Sequence, residues 1–92
     1  MEFHKEDLLM KRLLKFEAPW CTKCHQMDKV MADMDIPFHI ERINVDDNME
    51  STLYYGIKSI PHMILLDEND NVVARVGGAV SKQVLSETLG LK

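Results

Sequence analysis

Cysteine is scarce in this chain: two residues in 92, beside three prolines, four glycines and one tryptophan. Two cysteines cannot build the multi-bridge framework on which small secreted domains rely. Long apolar runs are missing too. The longest, Met63-Ile64-Leu65-Leu66, falls far short of the ~20 residues of a membrane-spanning helix. Near the start, Leu8-Leu9-Met10 is too short for the apolar region of a signal peptide and meets Lys11-Arg12 at once. The expectation is a cytoplasmic protein, whose reducing surroundings disfavour structural disulfides. Basic clusters are also lacking. Eleven Lys and Arg against fifteen Asp and Glu leave a net charge of −4, and no basic run is long enough to track a phosphate backbone. Neither nucleic acid nor membrane is an expected partner. With no linker, repeat or low-complexity stretch, residues 1–92 read as a single domain with one modest core.

What is present is a short alternation of patterns. Residues 5–12 allow a short helix. Leu14 and Phe16 alternate with charged neighbours, so 13–17 reads as a strand. Ala18-Pro19 breaks it. Met27, Val30, Met31 and Met34 recur at helical spacing and predict a helix over 22–34. A second strand follows at 38–45. Asp46-Asp47-Asn48 would cap a short helix that runs to Tyr55 and stops at Gly56. Strands at 63–66 and 72–76 flank the turn-forming Glu68-Asn69-Asp70-Asn71 and make a hairpin. Ser81 would cap a last helix carrying Val84, Leu85 and Leu89. The order is βαβ, a short helix, then ββα, and the βαβ unit implies two parallel strands with a right-handed crossover.

The two cysteines stand together as Cys21-Thr22-Lys23-Cys24, where the first strand gives way to the first helix. A sulfur at a helix N-terminus meets unpaired N–H groups and the positive end of the macrodipole, which favour a thiolate. Lys23 adds a positive charge nearby. Were the Cys21 pKa to fall from ~8.5 to ~7, its thiolate fraction at pH 7 would rise roughly 16-fold. Lower basicity would cost about 6-fold in nucleophilicity, so attack would gain only about 3-fold. The larger gain is as a leaving group, because a low-pKa Cys21 is easily released from a mixed disulfide. Cys24, one turn further on, is placed to resolve that intermediate.

Three other readings compete. A structural staple across so short a loop would contribute only about 2 kcal/mol, and the cytoplasm would reduce it. A closed zinc site needs four ligands, yet His4, His25, His39 and His62 form no close pair. Cys21-Thr22-Lys23-Cys24-His25 also matches the c-type haem attachment pattern, with His25 as proximal ligand. The missing export signal and the βαβ setting oppose it. No metal and no cofactor is expected, only a redox-active Cys21–Cys24 disulfide.

Residues 13–89 resemble the thioredoxin family. The likeness rests on Ala18-Pro19-Trp20-Cys21-Thr22-Lys23-Cys24, Ile43-Asn44-Val45-Asp46, Tyr55-Gly56-Ile57-Lys58-Ser59-Ile60-Pro61, and Val76-Gly77-Gly78-Ala79-Val80-Ser81-Lys82, in that order. It implies an α/β minimal thioredoxin fold, βαβ-(α)-ββα, with a four-stranded mixed sheet in the order 2-1-3-4 flanked by helices. It implies that Cys21 attacks, Cys24 resolves and Pro61 follows a cis bond. Trp20, Ile60, Pro61, Gly78 and Ala79 would form a shallow substrate groove. Singly, Trp20 reads as a packed core residue and Gly78 as a helix-entry turn; their value lies in joint placement.

The departures from the family pattern are specific. The family's usual extra strand and helix at the N-terminus have only about twelve residues to occupy here. Thr22-Lys23 replaces the usual Gly-Pro, which bears on the redox potential, since each ~30 mV is about 1.4 kcal/mol. The family's buried acid, six residues before the first cysteine, is here Lys15. Glu17 shares a strand face with Lys15 and would pair with it. His62, which titrates near neutrality, replaces the usual threonine after the proline. Glu17 and His62 are therefore candidates for the missing acid–base function, although a solvated side chain is the ordinary reading of each. Lys15 and Lys23 would both favour thiolates and make the protein a weaker reductant than its relatives.

The resemblance thus implies a protein disulfide reductase, monomeric, recycled by a flavoprotein thioredoxin reductase or by glutathione. Disulfide-containing proteins would be its targets, ribonucleotide reductase among the candidates. Two alternatives stand beside it. One is a glutaredoxin-like, glutathione-dependent reductase, although Trp20 and Ser59-Ile60-Pro61 differ from that family's usual residues. The other is a non-enzymatic thioredoxin-like subunit that grips a partner through the same groove.

Overall fold

The computed structural model describes residues 10–91. Four strands form one mixed sheet: β1 (Arg12–Glu17), β2 (His39–Asn44), β3 (His62–Leu66) and β4 (Val72–Gly77). Three helices lie between and after them: α1 (Thr22–Ala32), α2 (Met49–Tyr54) and α3 (Lys82–Thr88). The sheet order is β2-β1-β3-β4, with β1 and β2 parallel and the other pairs antiparallel. The parallel pair needs α1 as its crossover. The hairpin turns at Asp67–Asp70, where the Asp67 carboxylate accepts the N–H groups of Asn69 and Asn71.

The first strand is inner, and its four central residues are buried, so both its faces are covered. Leu13 joins Met27, Met31, Phe38, Met63, Leu65, Leu85 and Leu89 in the core beneath α1 and α3. Leu14 and Phe16 point the other way, to Ile64 and Leu66, with Tyr55 and Ile57 packed against them. Period-two alternation therefore puts Lys15 and Glu17 on the α1 side, with Leu13. The second helix buries no residue, and Met49, Leu53 and Tyr54 are exposed.

The element order and strand order agree with the sequence reading, and the differences lie at the ends. The first helix stops at Ala32, two residues short of the expected Met34. Its last turn tightens instead: the Asp33 and Met34 N–H groups bond to the carbonyls of Val30 and Met31. The expected helix over 5–12 lies outside the described residues except at its end, where Arg12 already belongs to β1 and ion-pairs with Glu41 and Asp70. Asn48 caps α2, but its side chain makes no cap bond. Ser81 caps α3 as expected, its Oγ accepting the Val84 N–H at 3.2 Å.

Candidate active site

The first strand ends at Glu17, and the first helix opens just after Cys21. Cys21 is the N-cap of α1: its Sγ accepts the backbone N–H of Cys24 at 3.1 Å. An N-cap is normally oxygen, from Ser, Thr, Asp or Asn; here a sulfur fills the place. The same sulfur is bonded to Cys24 Sγ as a disulfide, with the Cα atoms 5.2 Å apart. Cys24 is 1% exposed and Cys21 is 6% exposed. An incoming group therefore meets Cys21 first. When the disulfide opens, the Cys21 sulfur is left facing the Cys24 N–H and the helix N-terminus, both of which favour an anion.

Two loops frame this sulfur pair. Ile60 and Val45 pack on the cluster of Ala18, Cys21 and Cys24. The Ile60–Pro61 peptide is cis. The Pro61 carbonyl accepts the Gly78 N–H at 2.8 Å, which ties the Gly78-Ala79 segment to the proline loop. Gly78 has φ +86°, a conformation that any side chain would strain. Trp20 is 68% exposed, and its Nε1 donates to Asp46 Oδ2 at 2.8 Å. That bond holds the indole as one wall of an open hollow of about 370 Å³, shared with Val45, Ile57 and Ile60. Trp20 is thus an exposed surface residue, not a core one. The structure brings Cys21, Cys24, Trp20, Ile60, Pro61 and Gly78 into one neighbourhood.

Lys15 lies under α1 and is 0% exposed. Its Nζ contacts Glu17 Oε1 and, at 3.1 Å, Asp28 Oδ1. Arg42 Nη1 reaches the same two carboxylates, at 2.9 and 2.8 Å. Two cations and two anions thus close a ring in which each touches both of opposite sign. Lys15 and Arg42 are direct partners in the parallel register of β1 and β2. Like charges so placed repel, and the carboxylates offset that. Burial pushes the Asp28 carboxyl up, and hydrogen bonds and charge from Arg42 and Lys15 more than reverse it, so it lies below its ordinary value. The expected Lys15–Glu17 pair is present, but its charge is offset locally.

Other candidates fall elsewhere. His62 turns to β4, where its Nε2 accepts from Arg75 Nε at 3.2 Å. Burial, and then repulsion from Arg75, lower its pKa and disfavour the charged imidazolium. Lys23 is exposed on α1. His25 places Nε2 2.8 Å from the Pro19 carbonyl. Among the described residues, no group of three or more His, Cys, Asp and Glu could hold a metal ion. Sequence reasoning missed Asp28, Arg42 and Asp46. Asp28 had a signal, four residues after Cys24 on one helix face. Arg42 had none without the strand register.

Comparison with known proteins decides the family. A sequence model of the thioredoxin family matches residues 2–90. The chain belongs to the thioredoxin family. It is 37% identical over 78 residues to the thioredoxin of Haemophilus influenzae, covering 80% of this chain and 72% of that one. With the thioredoxin of Synechocystis it shares 33% over 92 residues, 92% of this chain and 85% of the other. Thioredoxin-2 of a malaria parasite, described as a component of protein secretion machinery, superposes with a TM-score of 0.72 at 27% identity, over 89% of this chain and 82% of its own. As a thioredoxin with an intact Cys21–Cys24 pair, the protein is a thiol–disulfide oxidoreductase of the protein disulfide reductase type. Members of the family act on disulfide-containing proteins and take electrons from reductases, and they work in general without a cofactor. Among the described residues no helix is long and apolar enough to cross a membrane.

Proposed function

We propose that Cys21 is the attacking thiol and Cys24 the resolving thiol of a reductase acting on extended, disulfide-containing segments of proteins. The observation that carries this is the capping geometry: the less deeply buried cysteine sits at the helix N-terminus, and its disulfide partner lies one turn behind, almost fully buried. The Cys21 thiolate attacks one sulfur of the target disulfide, the other target sulfur leaves, and a mixed disulfide forms. Cys24 then attacks Cys21, the second target sulfur leaves, and the Cys21–Cys24 disulfide remains. Two electrons pass to the target.

Trp20, Ile60, Pro61, Gly78 and Ala79 form the wall against which the target lies, and the Ile60 backbone pairs with it. The whole chain, 1–92, acts as one domain and as a monomer in the cytoplasm. A flavoprotein thioredoxin reductase or glutathione returns it to the dithiol, and ribonucleotide reductase is one target class to test. The wild type should accelerate insulin reduction by dithiothreitol. Trp20→Ala should lower kcat/KM for insulin by about 5- to 30-fold, the 1–2 kcal/mol of an aromatic anchor. Equal kcat/KM in the two proteins would remove Trp20 from the groove.

A further inference from the structure

The second step needs a base. Cys24 attacks only as a thiolate, yet it is 1% exposed, so bulk water does not reach its proton directly. A cavity of about 110 Å³ opens beside it, walled in part by Cys24, His25, Glu17, Asp28 and Asn44. That is well above the roughly 10–15 Å³ a single water needs, so the cavity has room for water. Three side chains on its wall are candidate acceptors for the proton: Glu17, Asp28 and His25.

The carboxylates are already committed. Glu17 and Asp28 each contact both Lys15 and Arg42, and protonating either would break that ring. Asp28 in particular is held below its ordinary value. His25 is not committed in this way. Its Nε2 lies 2.8 Å from the Pro19 carbonyl oxygen. A carbonyl only accepts, so Nε2 carries the hydrogen, and in the neutral ring Nδ1 is left with the lone pair. The Pro19 carbonyl therefore selects the tautomer, as a neighbouring acceptor commonly does for a working histidine.

We propose that His25, through Nδ1 and the cavity water, accepts the proton of Cys24 during resolution of the mixed disulfide. This rests on the dithiol reading above. The Cys24 S–H bond breaks and its proton passes to His25. The Cys24 sulfur then bonds to the Cys21 sulfur, the bond from Cys21 to the target breaks, and the electron pair leaves on the target sulfur. That sulfur takes up a proton from the imidazolium or from water. The charged groups that share the cavity wall with His25 are Asp28 from α1 and Glu17 from β1, and each of these is in turn paired with Lys15 and Arg42.

The test isolates the second step. Reduced protein is mixed with an excess of a disulfide-bonded peptide, quenched in acid at intervals and weighed by mass spectrometry. In the wild type the decay of the mixed disulfide should slow as pH falls, with an inflection that marks protonation of the base. His25→Gln keeps an N–H for the Pro19 carbonyl but has no base. It should prolong the mixed disulfide at least about tenfold at pH 7 and abolish the inflection. An unchanged profile in His25→Gln would overturn the proposal. So would an inflection that survives there but vanishes in Glu17→Gln or Asp28→Asn, which would give the proton to a carboxylate. If the wild type forms no adduct at Cys21, the dithiol reading itself falls and this proposal with it.

Discussion

Cys24→Ser should stop the reaction halfway. Mixed with a disulfide-bonded target, this variant should accumulate a covalent adduct through Cys21 at one equivalent per chain. Its multiple-turnover insulin reduction should fall at least about 100-fold, since the second step loses its nucleophile. Cys21→Ser should form no such adduct, although Cys24 remains. The asymmetry follows from burial and capping: Cys21 is the less deeply buried cysteine and caps the helix N-terminus, while Cys24 lies at 1% exposure behind it. Equal trapping by both single variants would show that either thiol can attack, and the order of steps would be lost. The non-enzymatic alternative predicts differently. A scaffold that grips a partner through the groove would keep its partner in the double variant Cys21→Ser/Cys24→Ser.

Lys15→Met should be the most damaging change outside the sulfur pair. Lys15 is 0% exposed and contacts both Glu17 and Asp28. Removing it leaves two carboxylates facing each other over a half-exposed Arg42. Breaking a buried ion-pair set costs about 3–5 kcal/mol, and the partial exposure of both acids argues for the lower end. For a domain of this size, about 3 kcal/mol is a fall in Tm of roughly 12–24 °C. The pH dependence carries the sign. In the wild type the Asp28 carboxyl lies below its ordinary value, so the unfolded chain takes up its proton at the higher pH. Its contribution is whole above about pH 4 and is lost as pH falls further. Without Lys15 the carboxylates repel and bind protons more readily, so the gap in Tm between wild type and variant should narrow as pH falls from 7 to 4. Lys15→Asp returns the acid that thioredoxins usually carry there, yet it should be worse than Lys15→Met, because it sets a third carboxylate against one arginine. Equal melting of Lys15→Met and wild type at pH 7 would show that the ring contributes nothing.

The fold was legible where the signals were local. Alternation in Leu13–Glu17 gave the first strand and put Glu17 beside Lys15. Met27 and Met31 at helical spacing gave the buried face of α1. The cysteine pair was legible because helix entry and sulfur spacing lie within four residues. What escaped the sequence depends on contacts between elements. Arg42 meets Lys15 only because β2 runs parallel to β1 in one register. Trp20 is assigned to the groove by its joint placement with Ile60 and Pro61, but the Asp46 carboxylate that holds its indole at the surface was not legible. His62 stands next to the proline in the chain, but its strand hands it to Arg75. His25, weighed as a haem ligand because it follows the pair, spends its Nε2 on the Pro19 carbonyl.

The ring also changes what the lysines do. Lys15 was expected to favour thiolates, but its charge is offset by Glu17 and Asp28 at contact distance. The remaining pull on Cys21 comes from the Cys24 N–H, the helix N-terminus and the exposed Lys23.

The most direct test of the central claim is to equilibrate the protein with reduced and oxidised glutathione over a range of ratios and count its free thiols by mass spectrometry after alkylation. One two-electron transition is expected, in which the Cys21 and Cys24 thiols disappear together and no glutathione remains attached. A stable glutathione adduct as the oxidised end product, or thiols that persist at the most oxidising ratio, would contradict it.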